Sequence, residues 1–568
     1  MPIKTPSTKP VRPRNIKRTH SGCRSCRKRG KKCDETKPSC RACVRLNLDC
    51  SYAVDFAFRN SGRDSFQRQA VTKLSSHASH SPRHITLPTV SIPPWTLNAA
   101  GNMEARYLNH FMTHVRHLLP ANSAQFTHKT LHSPHLRSAI LCLSASNLSM
   151  LNTQVQSRVL PKDSRRSVFS PLVNKAHHIQ ARKYHDQALQ HCRSSTPHSI
   201  HSDAPAVLAA YTLLAYYHHA STDHLKFRLA VWDTVRFVAR NRDVITASKA
   251  GTDAFQMWYR LCVSHRLSKP PALLLEGEGA SSFGPNRYPD SFEQLYLNCI
   301  VGMSPDSLIY DILIKTMEIR SRLVVFRCVA GCARSSEVSR DIGRTAHGLF
   351  NTLLGRHDAE DECAEAEQGF VRGSHLQGLL GVQRDRLQVW KSRLRDDQRP
   401  DAQTTFPTHR DAMNVLYCFL CEMMFHESAP STLHDYSLRI GEIINTLDFT
   451  ASSTSDIYTF SLSEILLQLV QIYKSDSLFQ YILDTVWPAL ESKARGYEHS
   501  HYPTHLVKRI IAQLAQYWAK SRNVVFALPA VPEDVGKLRL LDIYHPVDLV
   551  VCGWDAAGRY FVEKGVLP

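Results

Sequence analysis

No apolar run in the 568 residues reaches the roughly 18 that cross a bilayer. The longest candidates, 206–217 and 136–143, are interrupted or short. The opening MPIKTPSTKPVRPRNIKR has no apolar centre, so it does not read as a secretory leader. A reducing compartment is therefore expected, and with it free thiols or metal ligands in place of disulfides. Three catalytic signatures are missing as well: GxxxxGK[ST], HExxH and GxSxG. Gly277, Gly279 and Ser282 give only a broken G-x-G-x-x-G, with no strand pattern before it. Residues 51–98 lack a sustained heptad, since Val71 and Leu74 do not extend into a repeat, so no coiled-coil dimer is expected there.

What is present is concentrated at one end. The chain holds 70 Lys+Arg against 50 Asp+Glu, and residues 1–50 take 15 against 3 of them. Residues 51–100 hold 5 against 2, and the remaining 468 residues hold 50 against 45. The large remainder is nearly neutral. Only the first part carries the electrostatic footprint of a nucleic-acid partner.

That part contains CRSCRKRGKKCDETKPSCRACVRLNLDC, a C-x2-C-x6-C unit written twice. The cysteines are Cys23, Cys26 and Cys33, then Cys40, Cys43 and Cys50. Thiolates select zinc, and a C-x2-C pair is a common base for a tetrahedral site. Three sulfurs do not fill one zinc. Six fill two if two of them bridge, so the repeat implies two Zn2+ ions sharing two sulfurs. Symmetry puts the bridges at matching positions without saying which. Arg27, Lys28, Arg29, Lys31 and Lys32 crowd the segment between Cys26 and Cys33. Arg12, Arg14, Lys17 and Arg18 lie just upstream. These cations exceed what two zincs with six thiolates need for screening, and they suit a phosphate backbone. The bland reading is a solvated charge run or an import tag. No aromatic residue lies between Cys23 and Cys50 to stack an unpaired base, which disfavours single-stranded RNA.

Residues 20–52 resemble the fungal Zn(2)-Cys(6) binuclear-cluster DNA-binding domain. The six cysteines, the basic run after Cys26, the Cys33-Asp34 step and Pro38 carry the resemblance. It implies that Cys23 and Cys40 bridge, and that a short helix after the second cysteine enters the major groove at a CGG triplet. Arg29 matches the first base-contacting cation of that family, and Arg27 and Lys32 match phosphate contacts. The next cation of the family is replaced here by Gly30, which leaves Lys28 or Lys31 to take over or one base contact fewer.

The chain then divides into a basic arm (1–19), the cysteine module (20–52), a Ser-, His- and Pro-rich linker (53–99) and a large all-α domain (100–568). Met103, Tyr107, Phe111, Val115 and Leu118 mark the first amphipathic face. Further helices are expected near 134–152, 172–193, 205–219, 224–240, 251–266, 306–330, 338–355 and 375–396. Others are expected near 409–426, 433–447, 459–473, 476–493 and 503–520. Within 538–562, LLDIY and DLVVCGW are open between helix and strand. Residues 100–240, through ARYLNHFMTHVRHLLP, LHSPHLRSAILCLSASNLSML and KYHDQALQHCRSS, resemble the fungal-specific transcription-factor regulatory domain. That resemblance implies a role in regulation and assigns no residue.

Three smaller features carry bland readings. His110, His114 and His117 have a spacing that could hold a metal, but they flank an apolar stripe as a polar boundary does. Cys418 and Cys421 sit within YCFLCEMMF and read as core thiols. The acidic stretch 358–367 reads as a solvated loop more readily than as an activation surface. The expected function is a nuclear, non-enzymatic, sequence-specific regulator of RNA polymerase II genes. It would bind double-stranded CGG-type DNA, with the helical part meeting the transcription machinery or coregulators, and homodimerisation is left open. A metabolic or secondary-metabolite pathway is the family's usual target. The alternative is a helical small-molecule-binding or interaction protein that uses zinc for targeting.

Overall fold

Apolar residues at three- and four-residue steps become helices through most of the chain. The computed structural model describes residues 23, 25–26, 29, 33–36 and 39–50. It then describes 99–119, 132–150, 174–194, 197–221, 223–265, 303–332, 373–395, 399–400, 405–450, 455–493, 502–530 and 546–567. Two units separate, Met1–Pro94 and Trp95–Pro568. The arm 1–19, most of the linker, the helix expected at 338–355 and the acidic stretch 358–367 lie outside the described residues.

In the first unit the described helix is α1 (Arg41–Arg45). In the second, α2 starts at Ala99–His110, passes through a π-turn at Phe111–Val115 and ends at Arg116–Leu118. There follow α3 (Pro134–Met150), α4 (Lys175–Ser194), α5 (Pro197–His219), α6 (His224–Thr246) and α7 (Lys249–His265). Next come α8 (Pro305–Cys332), α9 (Gly373–Ser392), α10 (His409–Phe425) and α11 (Pro430–Thr446). The series closes with α12 (Leu462–Ile472), α13 (Asp476–Gln480, continuing to Lys493 through a π-turn) and α14 (Thr504–Ala519).

Local chemistry sets several of the ends. Ser461 and Glu464 form a reciprocal capping box that starts α12, and Thr408 caps α10. In α5, Asp203 leaves helical geometry at φ −122° and ψ 17°, two residues before Pro205. Proline removes an N–H and crowds the preceding turn, so the helix bends there. Helices α3 to α7 pack against one another, and α8 packs on both α9 and α10. Trp258, Trp390 and Trp487 lie fully inside. Cys418 and Cys421 are buried in α10, as core thiols should be.

The helical reading holds for most of this unit, with one addition at its end. Strands β1 (Arg522–Ala530), β2 (Val547–Asp555) and β3 (Tyr560–Leu567) form an antiparallel sheet in that order. DLVVCGW falls in β2, the central strand, whereas LLDIY lies outside the described residues. One face of the sheet meets Val325, Cys328 and Val329 of α8 through Phe526, Val550 and Cys552. The other face, through Leu549, Val551 and Leu567, joins the main core. Gly558 turns β2 into β3 at φ +72°, a conformation that glycine adopts without strain.

One ion network is sealed inside. Asp311 of α8 is 1% exposed. It accepts from Tyr259 of α7 (2.8 Å) and pairs with Lys315 (3.0 Å) and with Arg386 of α9 (2.6 Å). These neighbours hold its carboxyl far below the usual range despite the burial. The network links three helices where apolar side chains alone give no fixed register.

Candidate metal centre and nucleic-acid interface

The six cysteines converge. Cys23, Cys26, Cys33, Cys40 and Cys43 are buried and Cys50 is half-buried. The sulfurs of Cys23, Cys26, Cys40 and Cys43 all lie within 4.8 Å of one another. Cys23 and Cys40 are 3.7 Å apart, Cys23 and Cys43 3.5 Å, and Cys26 and Cys40 3.7 Å. Tetrahedral zinc with Zn–S of about 2.3 Å sets its sulfurs about 3.8 Å apart. A disulfide would need about 2.05 Å. The donor set therefore fits metal tetrahedra and does not fit a cystine knot.

The backbone repeats along with the ligands. The Cys23 N–H points to the Cys33 sulfur (3.5 Å), and ten residues apart in the same way the Cys40 N–H points to the Cys50 sulfur (3.2 Å). Such N–H···S contacts stabilise thiolates and fix the third ligand of each half. Asp34 adds a tie between the halves. Its carboxylate accepts from the Arg41 amide at the start of α1 (3.0 Å) and from the Thr36 hydroxyl (3.0 Å). That gives the Cys33-Asp34 step a structural reason. Ser25 donates to the Asp49 carbonyl across the same junction.

Burial pushes the Cys26 thiol up to about 12 and raises Cys43 as well, while the Cys40 amide lowers Cys50. Buried thiols in this state hold their protons until a dication displaces them, so metal uptake releases protons. When bound, zinc supplies no chemistry beyond crosslinking the two loops. The surrounding residues present charge.

Of the cations named from sequence, Arg29 is described. It is exposed, and its amide bonds back to the Ser25 carbonyl (3.2 Å), a helical turn carried over from Cys26. Arg18, Arg27, Lys28, Lys31 and Lys32 lie outside the described residues, as do Gly30 and Pro38. Sequence reasoning passed over Arg41 and Arg45, both exposed on α1. The repeat could have signalled them, since RSCRKR and RACVRL occupy the same places in the two halves. It also shows how the halves differ. Val44 and Leu46, 65% and 42% exposed, stand where the first half has Arg27 and Arg29. Asn47, the repeat partner of Gly30, is left-handed at φ 45°, a conformation that favours Gly and Asn.

The three histidines read from sequence as a polar boundary have different surroundings. His110 Nε2 bonds Asn147 of α3 (2.8 Å), whereas His114 and His117 border a cavity at the end of α2. No described helix is long and apolar enough to cross a membrane.

Residues 21–56 match the fungal Zn(2)-Cys(6) binuclear cluster domain. A lysine biosynthesis regulatory protein of Saccharomyces cerevisiae is 40% identical over 65 residues, 11% of this chain and 8% of that protein. The transcriptional regulatory protein moc3 of Schizosaccharomyces pombe is 44% identical over 48 residues, 8% of this chain and 9% of that protein. The transcriptional activator protein UGA3 of Saccharomyces cerevisiae is 26% identical over 187 residues, 28% of this chain and 34% of that protein. The chain thus spans about a tenth to a third of the length of these relatives. No solved structure matches. Residues 21–56 are a fungal binuclear zinc cluster domain, a domain that binds two zinc ions, and the proteins that this chain resembles there are fungal transcription regulators.

Proposed function

We propose that this protein is a nuclear regulator of RNA polymerase II genes that reads CGG-type sites in double-stranded DNA. One zinc takes Cys23, Cys26, Cys33 and Cys40, and the other takes Cys40, Cys43, Cys50 and Cys23. The observation that carries this assignment is the crossing of sulfurs between the halves. Cys26 approaches Cys40 and Cys23 approaches Cys43, both within a tetrahedral edge. Bridging by Cys23 and Cys40 accounts for both approaches at once.

The asymmetry of the repeat favours the first half as the DNA-facing one. It carries five cations between its second and third cysteines where the second half carries Val44, Arg45, Leu46, Asn47, Leu48 and Asp49. Arg29 serves as the base reader, since its planar fork matches O6 and N7 of guanine. Arg18, Arg27, Lys28, Lys31 and Lys32 serve phosphates or a neighbouring base. The large unit controls output, toward coregulators or the transcription machinery, and takes no catalytic part.

DNA selection with the full chain, with and without a zinc chelator, tests the reading. Enrichment of CGG motifs that vanishes on chelation is expected. No enrichment, or enrichment indifferent to chelation, overturns it. Half-site spacing in the selected pool reports whether two copies bind together. Arg29→Ala should cost about 1–3 kcal/mol on selected DNA and flatten preference at one guanine. An equal loss on scrambled DNA would make Arg29 a phosphate contact.

A further inference from the structure

The large unit contains a cavity of about 600 Å³ that the reading above does not use. Its walls come from the end of α2, from α7, from the starts of α8 and α10, and from the segment 455–459 before α12. The volume is in the range that small-molecule sites occupy, about 300–1,000 Å³.

One wall residue is out of balance. Arg260 of α7 is 7% exposed. Its guanidinium lies over the Tyr310 ring, 3.2 Å from the centroid. A single nitrogen donates to the Asp306 carbonyl, at a long 3.4 Å. Among the described residues its buried Nε meets no acceptor and no carboxylate pairs with it. A buried guanidinium without an anion is costly, so such a residue signals a partner. Arg116, half-buried on the same wall, also has a buried Nε that meets no acceptor, whereas two other wall cations are matched. Arg410 stands 3.7 Å from the Asp306 carboxylate, and His409 Nε2 stands 3.0 Å from Asp456. The buried Nδ1 of His409 also lacks an acceptor or donor. Leu118, Leu119 and Met413 make part of the wall apolar.

We propose that this cavity binds a small organic monocarboxylate, with its oxygens on the Arg260 guanidinium and its carbon skeleton on Leu118, Leu119 and Met413. Arg260 is the more deeply buried of the two unmatched guanidiniums, so a carboxylate seated on it meets the costlier need. The apolar wall would be wasted on an inorganic ion. The site lies within the large unit and does not depend on the DNA reading.

Calorimetric titration of the full chain tests this with benzoate, 3-phenylpropionate, cyclohexanecarboxylate and hexanoate, each beside its primary amide. At least one acid should bind, and its amide should bind tenfold or more weakly. Arg260→Met should weaken that acid tenfold or more. Met413→Trp, which fills the cavity from another wall and leaves Arg260 in place, should do the same and keeps the test decisive if Arg260→Met fails to fold. Absence of binding by all four acids up to 10 mM, equal binding of acid and amide, undiminished binding to both variants, or tighter binding of inorganic phosphate would each overturn the proposal.

Discussion

The two units fill their interiors with opposite chemistry. In the cysteine module the buried cluster is Cys23, Cys26, Cys33, Cys40 and Cys43, while Val44, Leu46 and Leu48 are exposed. In the large unit aliphatic and aromatic side chains fill a continuous core, and Asp311, Lys315 and Arg386 pair with one another inside it. A module of about 30 residues cannot bury enough apolar surface to offset its chain entropy, so a metal must supply the difference. The larger unit needs no such help. Each prediction below acts on one side of that contrast.

Removing zinc gives the largest effect. Structural zinc contributes about 10–16 kcal/mol of folding free energy to small modules near neutral pH. A chelator should abolish amide-exchange protection across 23–50 and leave α3 to α14 protected, with two zincs per chain in native mass spectra beforehand. Protection at 23–50 that persists without metal would break the contrast.

The matching insult to the large unit is electrostatic. Asp311→Ala removes the carboxylate shared by Lys315 and Arg386. Breaking a buried network of this kind costs about 3–5 kcal/mol. Chemical denaturation should show that loss in the large unit while zinc content stays at two. A loss below about 1 kcal/mol would mean that the network is solvated.

These features differ in how far the sequence announces them. Cysteine spacing encodes ligand geometry directly, so Cys23–Cys50 is legible residue by residue. Helices are legible too, because a 3.6-residue period repeats over many turns, and the observed bounds from Pro134–Met150 to Thr504–Ala519 follow it closely. The sheet is not. β2 is covered on both faces, so DLVVCGW shows a continuous apolar run in place of alternation, and Pro529 hides β1. The cavity is the least legible of all. Its residues come from positions 113 to 459, joined only by the packing of α2, α7, α8, α10 and the segment 455–459. The Asp311 network has the same origin, since its members lie on α7, α8 and α9. The separate surroundings of the three histidines of α2 are hard to read for a local reason. The π-turn at Phe111–Val115 widens the helix within their span, so an ideal 3.6-residue wheel does not describe which surface each one meets.

The smallest predicted effect sharpens the comparison through pH. His110 sits between α2 and α3, and burial lowers it to about 4, although its bond to Asn147 works the other way. Its unfolded value is about 6.5. The neutral ring is therefore favoured in the fold, and its contribution is fully present above about pH 6.5. As pH falls the unfolded chain takes up the proton first, so stability declines from there and the contribution is lost as pH passes about 4. His110→Gln keeps a donor toward Asn147 but does not titrate. Its melting temperature should change less than the wild type's between pH 6.5 and 4, a difference that cancels the carboxylates common to both proteins. Parallel profiles would show that His110 is hydrated in the fold. The cysteine module fails over a similar acid range for another reason, because protons compete with zinc for thiolates. Excess zinc should therefore shift the acid loss of the module downward in pH and leave the His110-dependent slope of the large unit where it is.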